Sequence, residues 1–203
     1  MLNKLIPALL LSTPLLDPGA AMAQAVVGQP APAFSTTDAT GKTVALTDLK
    51  GKFVVLEWMS PDCPFVQKHY GSGNMQATQK AATAKGAVWL AVHTGSTGSA
   101  TPATLQGWMK SQSAAQTALL MDGDARVARA YGARTTPHMY IIDTQGKLVY
   151  AGAIDSKPTA NPADVKTATN YVAQALGETM AGKAVSQATT QAYGCSVKYP
   201  NAG

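Results

Sequence analysis

The feature that most constrains the fold is a short apolar run that ends in a turn and the start of a helix. Residues 53–56 read Phe-Val-Val-Leu, a composition typical of a strand buried on both faces. Ser60-Pro61-Asp62 breaks this strand. Pro64, directly after Cys63, suits the first turn of a helix, where a missing N–H costs nothing. The segment therefore predicts a strand that passes into a helix, with Cys63 at the junction.

The rest of the chain repeats this alternation of strands and helices. Apolar runs predict further strands at 87–93 and 118–121 and a hairpin at 139–142 and 147–150, after a small N-terminal hairpin within 29–51. Capping residues, prolines and closing glycines predict helices at 64–70, 74–85, 101–113, 125–131 and Asn161 to Leu176. Such an order is typical of one α/β domain with a mixed, mainly parallel sheet and helices on both faces.

The first residues resemble an export signal. Lys4 is followed by an apolar stretch from Leu5 to Leu16 and by Ala21-Met22-Ala23, a pattern that signal peptidase cleaves. We expect residues 1–23 to be removed and residues 24–203 to form one domain with an irregular tail at 181–203. Prolines within the apolar stretch argue against stable membrane insertion, which needs roughly 20 apolar residues. A periplasmic or secreted location follows.

Charge excludes one class of partner. The net charge of +5 comes from basic residues scattered singly along the chain. Nucleic-acid-binding proteins usually cluster such residues, so nucleic acid is not an expected partner. We also expect no metal and no other cofactor.

The only two cysteines, Cys63 and Cys195, are too few for a disulfide framework. A thiol at a helix start faces unpaired N–H groups and the positive end of the helix dipole, and both favour the thiolate. Lys68 and His69, one to two turns on, are expected to add positive potential, whereas Asp62 opposes it. Cys63 is therefore predicted to be a reactive thiol.

Two segments resemble known redoxins. Val54 to Val66 is similar to the active-site strand and turn of the thioredoxin-like superfamily, in its redoxin branch, the AhpC/TSA or peroxiredoxin-like family. Thr135 to His138, with the strand up to Asp143, looks like that family's cis-proline segment. The resemblance covers roughly Gly28 to Met180 and implies a three-layer thioredoxin-like sandwich.

The resemblance also implies roles for particular residues. Pro137 should be cis, and Thr136 should present backbone polar groups to Cys63 or to a bound peptide. The residues expected to contact substrate are Ser60, Pro61, Pro64, Thr136 and Pro137.

One departure from the family affects the mechanism. Val66 stands where a Cys-x-x-Cys motif would place its second cysteine, so Cys195 is the only candidate within the chain to resolve a mixed disulfide. From the sequence, a redox pair, a structural disulfide and two independent thiols remain open.

Three functions follow from these residues. The first is thiol-disulfide oxidoreduction through Cys63, acting on a protein or small-molecule disulfide with an external thiol as reductant. The second is peroxide reduction: Ser60 and Pro64 match peroxiredoxins, but Pro137 stands where their arginine would be, and the nearest arginine is Arg134. The third is a copper-binding or non-catalytic module, with His138 expected near Cys63.

Overall fold

A seven-stranded mixed sheet forms the centre of the molecule, for which the computed structural model describes residues 24–95 and 100–200. Residues 1–23, which are the predicted signal peptide, lie outside the described residues. The strands are β1 (Ser35–Asp38), β2 (Thr43–Ala45), β3 (Val54–Trp58), β4 (Val88–Thr94), β5 (Ala118–Asp122), β6 (Thr135–Thr136), β7 (His138–Ile142), β8 (Leu148–Gly152) and β9 (Cys195–Ser196). The large sheet has the order β2-β1-β5-β4-β3-β7-β8, and β6 pairs with β9 separately.

The predicted fold class is confirmed. The three central strands β3, β4 and β5 run parallel, and antiparallel hairpins flank them, β7–β8 on one side and β1–β2 on the other. All five residues of β3 are buried, as its apolar composition predicts. Because parallel strands end at the same edge of the sheet, the turn after β3 lies beside the end of β4, where the N–H of Met59 donates to Val92 O at 3.0 Å.

Within the described part of the chain, five α-helices cover the two faces of the sheet. They are α1 (Pro64–Gly71), α2 (Asn74–Thr83), α3 (Pro102–Ser111), α4 (Arg126–Tyr131) and α5 (Tyr171–Met180). Helices α1, α2, α3 and α5 share one core cluster, represented by Val66, Met75 and Leu176, whereas α4 packs on the other face with Phe34. Each amphipathic helix thus buries its apolar stripe against the sheet, which gives the three layers.

The single long helix predicted from Asn161 to Leu176 is wrong. The segment contains a 3-10 helix at Pro162–Thr167 and, after a break, α5 from Tyr171. Both pieces start with an asparagine cap: the Asn161 side chain accepts from Ala163 N, and the Asn170 side chain accepts from Ala173 N. Because a capping residue adopts an extended backbone, Asn170 interrupts the helix even though the apolar periodicity continues past it.

The tail at residues 181–200 contains no helix, and β9 is its only regular strand. It nevertheless joins the domain, through a parallel bridge between Thr189 and Ala151 and through the pairing of β9 with β6. Among the described residues, no helix is both long enough and apolar enough to cross a membrane.

We expect Asn170→Ala to lower the free energy of unfolding by about 1–2 kcal/mol, because the Asn170 side chain caps α5 at 2.9 Å and also donates to Thr78 Oγ1 at 2.8 Å. Asn161→Ala is the matched control, since the Asn161 side chain caps only an exposed 3-10 helix and should cost less. Urea denaturation measures both variants. Equal losses would contradict the importance of the Asn170 cap.

Candidate active site

Cys63 occupies the N-cap position of α1, at the junction that the sequence predicts. Its backbone is extended (φ −83°, ψ 118°), its N–H donates to Ser60 O at 3.2 Å, and Pro64 begins the helix. The side chain is 1% exposed. The thiol therefore lies at the positive end of a helix, but it is covered.

The segment before β7 lies against this thiol. The Thr136–Pro137 peptide bond is cis, as the family resemblance implies. The Cys63 thiol donates a hydrogen bond to Thr136 O at 2.9 Å. The predicted contact between Cys63 and the Thr136 backbone is therefore present, and Thr136 is buried.

The tail brings Cys195 to the same place. Strand β9 pairs antiparallel with β6, with Cys195 opposite Thr136 and Ser196 opposite Thr135. Cys195 is half-buried, and both cysteines are free thiols in this structure. Cys195, which the sequence names as a candidate resolving cysteine, is therefore a neighbour of Cys63.

The two thiols differ in acidity. Burial raises the pKa of Cys63, but hydrogen bonds from Cys195 and Thr136 and from the N–H of Val66 in the first turn of α1 outweigh it, so the net pKa of Cys63 is lowered. Burial and the hydrogen bond to Cys63 raise the pKa of Cys195 to about 11. Cys63 is thus the thiol that ionises first, with Cys195 as a proton donor to its thiolate.

The tail approaches the body of the domain so closely at three glycines that a side chain would not fit between them. A Cβ on Gly194 (φ +135°) would lie 2.0 Å from Thr136 O, the carbonyl that accepts from Cys63. A Cβ on Gly152 would lie 2.2 Å from Thr190 Oγ1, and one on Gly95 would lie 2.6 Å from Lys198 O. Since such distances are far shorter than van der Waals contact, the close approach of tail and body depends on the missing side chains.

A buried polar cluster joins α1 to the tail. It consists of Lys68 and His69 of α1, Asp155 after β8, and Tyr193, two residues before Cys195; we call it the α1–tail cluster. Lys68 Nζ lies 3.2 Å from Asp155 Oδ2 and 3.4 Å from the Tyr193 hydroxyl. The Tyr193 hydroxyl donates to Asp155 Oδ1 and lies 3.1 Å from His69 Nε2. Lys68, His69 and Asp155 are each at most 2% exposed.

This cluster changes the electrostatic role expected of α1. The ammonium of Lys68 is neutralised by Asp155, and burial lowers the pKa of His69 to about 4, so His69 is neutral near pH 7. The expectation that these residues add positive potential at Cys63 is therefore wrong. Their charge and hydrogen-bonding capacity are used to hold the tail.

The remaining predicted site residues surround the Cys63 turn. Ser60 and Pro61 are half-buried, Pro64 is exposed and Pro137 is buried. Pro61 O accepts from Gln67 Nε2 at 2.8 Å, which ties the turn to the first turns of α1. Ser60, Pro61 and Pro64 therefore lie in the turn that carries Cys63 into α1.

Glu57 is a residue that our sequence reasoning missed. It lies in the middle of β3, is completely buried, and accepts hydrogen bonds from three side chains: Trp89 Nε1 at 2.7 Å, Tyr70 hydroxyl at 2.8 Å and Gln79 Nε2 at 3.1 Å. Burial raises the pKa of Glu57 to about 7 against the opposing effect of these donors. The available signal was a carboxylate within an otherwise apolar strand, which is rare unless the group is paired.

Two residues expected to serve the other functions, His138 and Arg134, have contacts of their own. His138 contacts Tyr140 and the N–H of Arg134, and Arg134 is itself exposed. Burial lowers the pKa of His138 to about 4, and the nearby Arg134 guanidinium lowers it further, so His138 is neutral near pH 7. Within residues 24–95 and 100–200, no three His, Cys, Asp or Glu side chains form a group that could hold a metal ion.

Comparison with known proteins places this site in a family. The model of the AhpC/TSA family matches residues 27–151. A curated relative, the thiol-disulfide oxidoreductase ResA of Bacillus subtilis, is 30% identical over 129 residues, which cover 60% of this chain and 64% of the relative. The chain thus spans somewhat less than two thirds of that relative's length.

Solved structures agree on the fold. An uncharacterised conserved protein from Geobacillus kaustophilus is 24% identical, with a TM-score of 0.73 over 88% of this chain and 94% of its own. The thioredoxin domain of a thiol-disulfide oxidoreductase from Bacteroides vulgatus is 21% identical, with a TM-score of 0.53 over 70% of this chain and 96% of its own. At these identities the likeness supports the fold alone.

The raised pKa of Glu57 predicts a specific pH dependence of stability. Between the ordinary value of 4.5 and the folded value of about 7, the folded state holds a proton that the unfolded state has lost. The stability of the wild type relative to Glu57→Gln should therefore fall as the pH rises through this window, by up to roughly 3 kcal/mol, and stay level above it. Denaturation of both proteins at a series of pH values measures the difference, in which the histidine contributions cancel. A difference that stays constant from pH 4 to 8 would sink this interpretation.

Proposed function

Because the chain belongs to the AhpC/TSA family, we propose that it is an exported thiol-disulfide oxidoreductase whose redox pair is Cys63 and Cys195. The observation that carries the proposal is the pairing of Cys195 with Thr136, the residue whose carbonyl accepts from the Cys63 thiol. Thiol-disulfide exchange needs a second thiol within reach of the mixed disulfide, and this pairing supplies one.

Cys63 is the attacking thiol. Its lowered pKa provides more thiolate near neutral pH than Cys195, whose pKa is about 11. The Cys63 thiolate attacks one sulfur of a substrate disulfide, a Cys63–substrate bond forms, and the other substrate sulfur leaves as a thiolate that takes up a proton. Ser60, Pro61 and Pro64 of the Cys63 turn, together with Thr136 and Pro137 of the cis-proline segment, are the residues proposed to contact the substrate.

Cys195 completes the cycle. After losing its proton, it attacks Cys63 Sγ, the Cys63–Cys195 disulfide forms, and the second substrate sulfur is released as a thiol. The substrate has then gained two electrons and two protons, and the protein has lost them. An external thiol reductant would return the protein to the dithiol state.

The proposed location outside the cytoplasm rests on the first residues of the sequence. Lys4, the apolar stretch that follows it and the Ala21-Met22-Ala23 site have the pattern of a cleaved export signal. A compartment of that kind permits disulfides to persist, which a redox cycle through Cys63 and Cys195 requires.

The function is tested by offering the reduced protein two oxidants separately, glutathione disulfide and hydrogen peroxide. Acid quenching, alkylation and mass spectrometry follow the products. With the disulfide, the wild type should become lighter by two hydrogens through a Cys63–Cys195 bond, and Cys195→Ser should accumulate glutathione on Cys63. Cys63→Ser should react at least about 100-fold more slowly, because the Cys195 thiolate is scarce.

Two outcomes would overturn the proposal. Rapid oxidation by peroxide with slow disulfide exchange would identify a thiol peroxidase, the function that the family name and Ser60 also suggest. Wild-type protein that retains glutathione on Cys63 without forming the internal disulfide would show that Cys195 does not resolve the intermediate.

A further inference from the structure

The tail that carries Cys195 also covers Cys63. The Cys63 thiol is 1% exposed, and the residue that accepts its hydrogen bond, Thr136, is paired on its free edge by β9. Further along, Val197 N donates to Arg134 O at 2.9 Å, and Val197 is buried. A reactant can therefore reach Cys63 only when the tail moves.

The nearest side-chain anchor on the N-terminal side of Cys195 is the phenol of Tyr193. Only Gly194 separates the two residues, and the close approach of Gly194 to Thr136 O leaves the intervening backbone little room to adjust. The Tyr193 ring packs edge-on against Phe65 at 5.8 Å, and Lys68 Nζ lies 5.4 Å from its centre. The position of the Tyr193 ring thus determines the position of the Cys195 sulfur.

Tyr193 contacts three members of the α1–tail cluster. Lys68 Nζ donates to the backbone carbonyl of Lys157 at 2.7 Å and to the Tyr193 hydroxyl at 3.4 Å, and it forms an ion pair with Asp155 Oδ2 at 3.2 Å. Asn74 donates to His69 Nδ1 at 2.9 Å, so the other ring nitrogen carries the proton and donates to Tyr193. Withdrawal of Tyr193 would leave a partner missing on Lys68, His69 and Asp155 at once.

Loss of the Tyr193 hydroxyl is unfavourable, because a buried polar group that loses a hydrogen-bond partner keeps the free-energy cost of its desolvation. The attack of one thiolate on a disulfide uses none of the groups in the α1–tail cluster. The cluster therefore contributes by holding the tail, and with it Cys195, in position. A flexible tail would present Cys195 at a low effective concentration, whereas an anchored one presents it continuously.

We propose that Tyr193 is a positioning residue: its hydroxyl, held between His69 and Asp155, fixes Cys195 against Cys63 and keeps the tail closed over the Cys63 thiol. The first half of this inference rests on the proposed function, since it concerns the Cys63–Cys195 pair. The second half, closure over Cys63, is independent of it.

The equilibrium between dithiol and disulfide tests the positioning role. In glutathione buffers, one glutathione disulfide and the two protein thiols give the protein disulfide and two glutathione molecules, and the equilibrium constant reports the effective concentration of Cys195. Tyr193→Phe removes only the hydroxyl and should lower this constant at least about tenfold. Tyr131→Phe, which removes a buried hydroxyl that donates to Pro32 O and makes no hydrogen bond to the described residues of the tail, is the matched control and should change the constant less than about twofold.

Closure is tested by alkylation of Cys63 in a Cys195→Ser background, where no redox pair exists. Adding Tyr193→Phe should raise the rate constant for iodoacetamide at least about tenfold, because the tail opens more often. Gly194→Ala should do the same by pushing the tail from Thr136 O. Gly182→Ala is its control: Gly182 also has a positive φ (+71°), but its Cβ would meet nothing within 4 Å.

The outcomes separate the two claims. If the wild type forms no internal disulfide, the proposed function fails, and the alkylation rates still decide whether Tyr193 closes the tail. A wild-type disulfide whose equilibrium constant is unchanged by Tyr193→Phe overturns the positioning role. Unchanged alkylation in both Tyr193→Phe and Gly194→Ala overturns closure, and Gly194→Ala decides alone if the tyrosine variant does not fold.

Discussion

The pairing of two short strands, β6 and β9, is the interaction on which the candidate site depends. It joins the cis-proline segment before β7 to the C-terminal tail and sets Cys195 opposite Thr136. Two residues of strand contribute little stability alone, so the pairing needs support from both sides. Gly194 allows the backbones to approach, and Val197, buried just beyond β9, anchors the far end.

The chemistry follows from that pairing because the two thiols modify each other. Cys195 lowers the pKa of Cys63 by hydrogen bonding, whereas burial and the hydrogen bond to Cys63 raise the pKa of Cys195. The helix start supplies the Val66 N–H as a further donor. Cys63 thereby ionises before Cys195, which is the division of roles that the proposed thiol-disulfide exchange requires.

Two buried polar groups on one face of the sheet connect the site to the body of the domain. Glu57 of β3 accepts from Tyr70 of α1 and Trp89 of β4, which fixes the helix against the parallel strands. Lys68, on the same helix, ties it to Asp155 and the tail. A buried charge is costly unless it is paired, so both groups stabilise only the one arrangement in which their partners converge.

The sequence by itself determined the central strands, the three layers and the place of Cys63 at a helix start, because each is encoded in residues close together in the chain. The cis-proline segment was predicted only through the family resemblance. Tertiary structure alone decided which residues meet across the fold: Cys195 with Thr136, Lys68 with Asp155 and Tyr193, and Glu57 with Trp89. The break before α5 also escaped the sequence pattern, since the apolar period runs through Asn170 and only its side-chain bonds to Ala173 and Thr78 interrupt the helix. Local patterns report propensity and periodicity, whereas the pairing of distant polar groups depends on where the packed layers bring them, and no short segment contains that information.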